Sequence, residues 1–267
     1  MGRLDLTRNL TPEELERLSV QNRVDSYNAM PGPDDGTGVD CPLCRNRGTV
    51  AFLDEASLHF TIRQCKCQGT RRTVKRLQRQ GIYNQAKRYK FGSFRTDTEA
   101  QAIMKRTVEE FTQKPDAHWL MICGQSGAGK THLCTAAFVR LSFQKGMDGH
   151  YFLWNSDGRQ LKAASMEDAS GLWDKYKKCE LLYIDDLFKG KPGQEPSDAD
   201  IRLAFELLDY RYGNQLTTII SSEMEFGRMV NVDEAVAGRI KEMCGPYLVN
   251  IAKAPDKNVR FYQSGNE

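Results

Sequence analysis

The sequence predicts an α/β fold: a central parallel sheet of five strands, with a small cysteine-bearing module ahead of it. Three observations carry that expectation. Five short apolar runs (120–123, 150–154, 181–184, 217–222 and 247–251) are separated by stretches with helical character, which is how parallel strands are joined. The first run leads directly into Gly124-Gln-Ser-Gly-Ala-Gly-Lys-Thr131, and the third ends in Asp185-Asp186, so a Gly-rich turn and a carboxylate pair fall at strand ends. Ahead of both stand Cys41-Pro-Leu-Cys44 and Cys65-Lys-Cys67, two cysteine pairs outside the alternating pattern.

Composition bounds the possibilities. The chain has 267 residues, of which 40% are hydrophobic, enough for one large domain or a domain plus a module. Lys and Arg total 38 against 35 Asp and Glu, a net charge of +3, so partners must be read from local charge. No run approaches the roughly 18 apolar residues of a membrane span, and the first eight residues lack the apolar core of a signal peptide. A cytoplasmic protein without membrane contact is expected. Its eight cysteines are then thiols or metal ligands rather than disulfides.

In chain order, residues 1–40 are expected to be a helical arm and a linker. Thr11, Pro12 and Glu14 form a capping-box start, and Leu15, Leu18, Val24 and Tyr27 give a weak apolar stripe. Residues 31–40 are turn formers throughout. Residues 41–68 are expected to be a zinc-binding module. Four thiolates from Cys41, Cys44, Cys65 and Cys67 satisfy tetrahedral Zn²⁺, and 49–53 and 59–63 read as the hairpin that brings the pairs together. Four buried thiols or an iron–sulfur cluster are the alternatives. Cys123, Cys134, Cys179 and Cys244 sit in apolar contexts and read as core thiols.

Residues 69–267 are expected to form a nucleotide-binding domain that starts with a basic helix. Arg71, Arg72, Lys75, Arg76, Arg79, Lys87, Arg88 and Lys90 fall in a stretch with no acidic residue. That suits the phosphates of single-stranded DNA, with Tyr83 and Tyr89 to stack on bases; a basic connecting helix is the bland alternative. Gly81 breaks this helix, and another runs from about 98 to 111.

Gly124–Thr131 fits the phosphate-binding spacing G-x-x-x-x-G-K-[S/T] and lies between a strand and a helix, the context it needs. Gly127 and Gly129 let backbone N–H groups turn toward an anion at a helix N-terminus. Lys130 reaches β- and γ-phosphates, and the Thr131 hydroxyl holds Mg²⁺. The nucleotide is expected on Gly124, Ser126, Gly127, Ala128, Gly129, Lys130, Thr131 and His132. Asp185 is expected to hold the Mg²⁺ shell with Thr131, and Asp186 to orient and deprotonate the attacking water.

After these, 189–196 reads as a Gly/Pro loop, and Ser197 caps a helix buried through Ile201, Ala204, Phe205, Leu208 and Tyr212. The strand 217–222 ends in Ser221 and Ser222, hydroxyls placed to sense a γ-phosphate. A helix from 226 to 243 leads into the fifth strand.

The phosphate loop after the first strand and paired carboxylates after the third resemble the AAA+ ATPases. The guanine-specific N-K-x-D is absent, which favours ATP. Within that class, Gly129-Lys-Thr-His-Leu133, Asp185-Asp-Leu187, Asp209-Tyr-Arg-Tyr212, Thr218-Ile-Ile-Ser-Ser222 and the cysteine pattern are similar to replicative-helicase loaders of the DnaC/DnaI type over roughly residues 40–260. The resemblance implies an AAA+ fold without a helical lid. It implies ATP hydrolysis coupled to loading a hexameric replicative DNA helicase onto single-stranded DNA, and self-association with ATP. It makes Arg239 a candidate finger for a neighbour's site and Arg260 a γ-phosphate sensor. Ser222 is carried over as a sensor. Two positions depart: Met243 stands where the family's second arginine falls, which leaves Arg239, Arg211 or no neighbour's residue at all for the finger, and Glu223 stands where many members have Asn. An IstB-like transposition regulator has a similar core, and an adaptor using nucleotide only as a clamp is the reading from another class.

Overall fold

The computed structural model describes residues 10–114, 116–163, 166–191 and 194–252, with the backbone alone at 166–170. The chain divides into two compact units, Met1–Arg76 and Leu77–Glu267.

In the first unit, α1 (Pro12–Ala29) begins with the expected capping box: the Thr11 side chain accepts from the Glu14 N–H and the Glu14 carboxylate from the Thr11 N–H. It lies on an antiparallel hairpin of β1 (Thr49–Asp54) and β2 (His59–Gln64). Asn28 hydrogen-bonds both backbone groups of Ala51 at 2.9 Å, so a side-chain amide completes the edge of β1. Val20 and Val24 are the buried positions of α1, and the Tyr27 hydroxyl meets Thr49 Oγ1 at 2.7 Å.

Residues 31–40 do not behave as a free linker. Thr37 is buried, and Arg71 reaches into the segment to donate to Asp35 (2.7 Å), the Val39 carbonyl (2.7 Å) and Asn46 (2.8 Å). The Thr37 hydroxyl, with Lys75 and Arg71 beside it, holds the Asp35 carboxyl down at about 2. Arg71, read from sequence as a phosphate contact, is thus an interior residue: a guanidinium's fixed fork suits the several acceptors that a turn-rich segment exposes.

The helix α2 (Cys67–Arg79) carries the chain into the second unit, followed by α3 (Tyr83–Arg88), α4 (Glu99–Gln113), β3 (Trp119–Gly124), α5 (Lys130–Gln144), β4 (Gly149–Leu153), α6 (Trp154–Ala163), α7 (Met166–Lys178), β5 (Leu181–Asp185), α8 (Asp198–Gly213), β6 (Thr217–Ser222), α9 (Phe226–Val232), α10 (Glu234–Cys244) and β7 (Leu248–Ile251). The sheet has the order β4-β5-β6-β3-β7, every pair parallel. Strand alternation divides its side chains between two cores. Trp119, Met121, Ile184 and Ile220 pack with α6 to α10; Leu120, Ile122, Tyr183 and Ile219 pack with α4, α5 and the apolar side of residues 77–94. Cys123, Cys134, Cys179 and Cys244 are all buried, as expected.

Three elements differ from expectation. Trp154 opens α6 rather than closing β4, because the Asp157 carboxylate accepts the Leu153 N–H at 2.7 Å. The helix expected from 226 to 243 breaks at Asp233, extended at φ −158°, whose side chain caps α10 through the Val236 N–H. The buried face of α8 is Leu203, Ala204, Leu207, Leu208 and Arg211, one step around from the expected stripe; the Phe205 ring is instead covered by the Arg239 guanidinium, 4.7 Å from its centroid.

Candidate functional site

In the sheet β5, β6 and β3 are neighbours, so the turns after all three meet outside one carboxyl edge. That is where open parallel sheets bind ligands. Gly124, Gly127 and Gly129 take φ of 102°, 78° and 91°, the left-handed region that favours glycine. A Cβ on Gly124 would strike the Ile251 carbonyl oxygen, and one on Gly129 would lie 2.5 Å from the Phe94 ring.

Lys130 opens α5 and is buried. Its Nζ donates to the carbonyls of Gly124 (2.9 Å) and Gln125 (2.7 Å). Burial lowers its pKa, opposed by Glu223 and Asp186. Thr131 Oγ1 donates to Asp185 Oδ1 at 3.4 Å, so a hydroxyl and a carboxylate oxygen stand together at the loop. Paired hard oxygen donors of this kind suit Mg²⁺.

Asp185 is buried and accepts from three more hydroxyls: Tyr183 (2.7 Å), Tyr151 (2.8 Å) and Ser221 (2.5 Å). Burial and the adjacent Asp185 charge push both phenols up, so they remain donors. Asp186 sits at φ 62°; its N–H donates to Ser221 Oγ at 2.9 Å and its carboxylate accepts from Lys189 at 2.8 Å. Burial raises the Asp186 pKa, with Lys189 opposing. Lys189 also donates to Glu223 at 3.2 Å, and Glu223 accepts from Ser126 at 2.9 Å. Burial would raise the Glu223 carboxyl, but Ser126 and Lys189 outweigh it and hold it low. The cleft between these groups measures 260 Å³; Tyr89 and His132 line it together with the loop, Asp186, Lys189 and Glu223.

The structure therefore brings together the expected loop residues, Thr131, Asp185 and Asp186. It adds Tyr151, Tyr183, Lys189 and Glu223, which sequence reasoning missed or gave no role, and of the two expected sensing hydroxyls it brings in Ser221. A signal existed for the tyrosines: they face each other in register on β4 and β5, polar groups in otherwise apolar runs. His132 ties its Nε2 to the Lys90 carbonyl at 2.9 Å and stacks on Tyr89, centroids 4.8 Å apart. Tyr89, expected to stack on DNA bases, is thus part of the nucleotide cleft, and Tyr83 carries the Lys87 ammonium over its ring at 4.4 Å.

Two other expectations are corrected, at Ser222 and at Arg211. Ser222 does not face the cleft: its hydroxyl donates to the Leu187 carbonyl at 2.7 Å and accepts the Met224 N–H at 3.1 Å. Alternation along β6 turns Ser221 toward Asp185 and Ser222 to the opposite face. Arg211 is fully buried, on carbonyls of α7, Cys179 and β6, so it cannot reach a neighbour. Arg239 pairs with Asp209 (2.6 Å) and donates to the Ala235 carbonyl (3.0 Å), away from the cleft of its own chain. Met243 packs against the core. Arg260 lies outside the described residues.

In the first unit, the Sγ atoms of Cys41, Cys44, Cys65 and Cys67 lie within 4.8 Å of one another, with Cys41–Cys65 at 3.7 Å and Cys44–Cys67 at 3.5 Å. A tetrahedron with Zn–S bonds of about 2.3 Å has edges of about 3.8 Å, so the cluster fits one zinc ion. The left-handed Arg45 and Asn46 (φ 46° and 70°) curl the chain after the first pair, and the Gly48 N–H points at Cys44 Sγ at 3.3 Å.

Comparison with known proteins agrees with this geometry. The family described as IstB-like ATP binding protein matches residues 50–240. The phage-like element PBSX protein XkdC of Bacillus subtilis (strain 168) is 32% identical over 235 residues, 84% of this chain and 86% of that protein. Among solved structures, the DnaC helicase loader is similar with a TM-score of 0.53 at 23% identity, over 61% of this chain and 97% of the other. DnaI is similar with a TM-score of 0.52 at 20% identity, over 65% and 93%. At those identities the two structures bear on fold alone, and the fold is the one expected.

Proposed function

We propose that this chain, which belongs to the IstB-like ATP-binding protein family, is a Mg²⁺-dependent ATPase that loads a hexameric replicative DNA helicase onto single-stranded DNA. The observation that carries hydrolysis is the division of labour between the two carboxylates. Asp185 is held in place by hydroxyl donors beside Thr131, the pair that would hold the shell of a Mg²⁺, which when bound neutralises charge on the phosphate oxygens. Asp186 is aimed into the cleft, and its pKa is raised by burial, as suits a general base. Water adds to the terminal phosphorus and passes its proton to Asp186. The bond from that phosphorus to the bridging oxygen breaks, its electron pair leaves on ADP, and phosphate departs. Lys130 and the loop N–H groups hold the phosphates in place meanwhile.

The loader reading is supported by likeness of fold to DnaC and DnaI, and by a four-cysteine module ahead of the ATPase unit, for which we propose zinc. The basic residues of α2 and α3 other than Arg71 are proposed to meet the DNA backbone. The family's own description favours a second reading, a transposition regulator with the same ATPase core.

Native mass spectrometry with the replicative helicase hexamer of the same host, with and without ATP, tests the loader role. A defined complex is expected; none in either state leaves the transposition reading. For hydrolysis, Asp186→Asn is expected to lower turnover about 100-fold or more with ATP still bound, and Lys130→Ala to weaken nucleotide binding. If neither variant changes a measurable rate, the protein is not an ATPase of this design.

A further inference from the structure

We propose that Lys189 is a second cation on the terminal phosphate, supplied in cis by the turn after β5. The inference rests on the ATPase reading and concerns the same cleft. Of the described residues lining it, Lys130 and Lys189 are the lysines and no arginine is among them. Lys130 donates to the loop carbonyls of Gly124 and Gln125, which leaves one N–H for the phosphates. The Lys189 ammonium instead stands between Asp186, at 2.8 Å, and Glu223, at 3.2 Å. An ammonium has three N–H donors; these two contacts leave one for a phosphate oxygen.

The charge around the cleft calls for such a donor. Asp186 and Glu223 line the place where a polyphosphate must lie, with Asp185 buried behind Thr131. Carboxylates beside a terminal phosphate repel it unless cations stand among them, and Lys189 touches both that line the cleft. Glu223 is itself tied to Ser126 of the phosphate loop at 2.9 Å, so Lys189 is held from β5, from β6 and through Glu223 from the loop.

The backbone is built to put it there. Asp186 and Phe188 take φ of 62° and 61°, a conformation that L side chains rarely adopt. The turn is closed by Lys189 N–H to the Asp186 carbonyl at 2.9 Å and by Leu187 N–H to the Ser221 carbonyl at 2.8 Å. Leu187 and Phe188 are buried as its anchors, with Phe188 edge-on to Trp154 at 5.5 Å. Two left-handed residues in four, held by buried neighbours, bring the side chains of Asp186 and Lys189 together in the cleft. Among the described arginines that the sequence offered for such a role, Arg211 is inside the core and Arg239 is paired with Asp209; Arg260 lies outside the described residues.

The test compares ATP and ADP affinities, read with fluorescent nucleotides, alongside turnover, for the wild-type chain, Lys189→Met and Lys189→Arg. A contact to the terminal phosphate predicts that Lys189→Met binds ADP within about 2-fold of wild type, binds ATP at least about 10-fold more weakly and turns over about 100-fold more slowly. Lys189→Arg is expected to recover most of the ATP preference. An ion pair that only braces the turn predicts no change in the ATP-to-ADP ratio, and that result overturns the proposal. Absence of turnover in the wild type at any concentration would instead count against the ATPase reading itself.

Discussion

Stripping the purified protein with a strong chelator is expected to unfold the hairpin unit while the five-stranded sheet stays folded, with recovery on adding zinc. The expectation follows from how little else holds Met1–Arg76 together. Its buried apolar side chains among the described residues are small: Val20, Val24, Cys44, Ala51, Cys65 and Val74. A core of that kind in so short a segment supplies no more than about 3–5 kcal/mol, whereas a structural zinc site contributes about 10–16 kcal/mol of apparent binding energy at neutral pH. Without metal the thiols hold their protons unevenly. Burial pushes Cys65 up to about 12 and raises Cys67, while the Cys44 N–H holds Cys41 down at about 7. Binding must expel those protons, so zinc affinity is expected to fall as pH falls. Hydrogen exchange on the whole chain reads the result. Protection at 49–64 that survives full metal removal would show that the hairpin stands on side-chain packing.

Arg211→Met is expected to destabilise the second unit by about 3–5 kcal/mol, a loss of roughly 2–4 °C in Tm for each kcal/mol in a domain of this size. The guanidinium is fully buried. Its Nε donates to Thr218 Oγ1 at 2.9 Å, and its terminal nitrogens satisfy four carbonyls, those of Tyr176, Lys177, Cys179 and Thr217. Methionine matches the stem but leaves those carbonyls without donors where water does not reach. Arg211→Lys is expected to rescue little, because an ammonium cannot span acceptors on α7 and β6 at once. Thermal unfolding measures the loss. Turnover per folded molecule at low temperature is expected to stay within about 2-fold of wild type, and a selective loss of turnover without loss of Tm would return Arg211 to the role of an arginine finger.

The sheet could be read from the sequence because its signals are local. An apolar run, a Gly-Lys-Thr turn and a carboxylate pair each name their position. What escaped were relations across the sheet. Ser221 and Ser222 are chemically identical, and only strand alternation decides which hydroxyl meets Asp185. Lys189 lay in a stretch that looked like a loop of Gly and Pro, and nothing local says that its ammonium turns back between Asp186 and Glu223. The stripe on α8 was displaced because periodicity counts apolar residues, whereas here an arginine occupies the core and Phe205 lies under another arginine. The basic run was misread at Arg71 for the same reason: composition records charge, but the acceptors that bury it lie some 30 residues earlier, at Asp35 and Val39.

The hydroxyl of Ser221 has a fixed polarity. It receives the Asp186 N–H and gives its own proton to Asp185, so the peptide group of one carboxylate-bearing residue is wired, in one direction, to the carboxylate of the other. A divalent cation that draws electron density from Asp185 weakens its hold on that proton, and the Ser221 oxygen then becomes a poorer acceptor for Asp186. The link makes the backbone at φ 62° sensitive to whether its neighbour is carrying metal. The wire is one hydroxyl long, and Ser221→Ala would cut it while leaving both carboxylates in the protein.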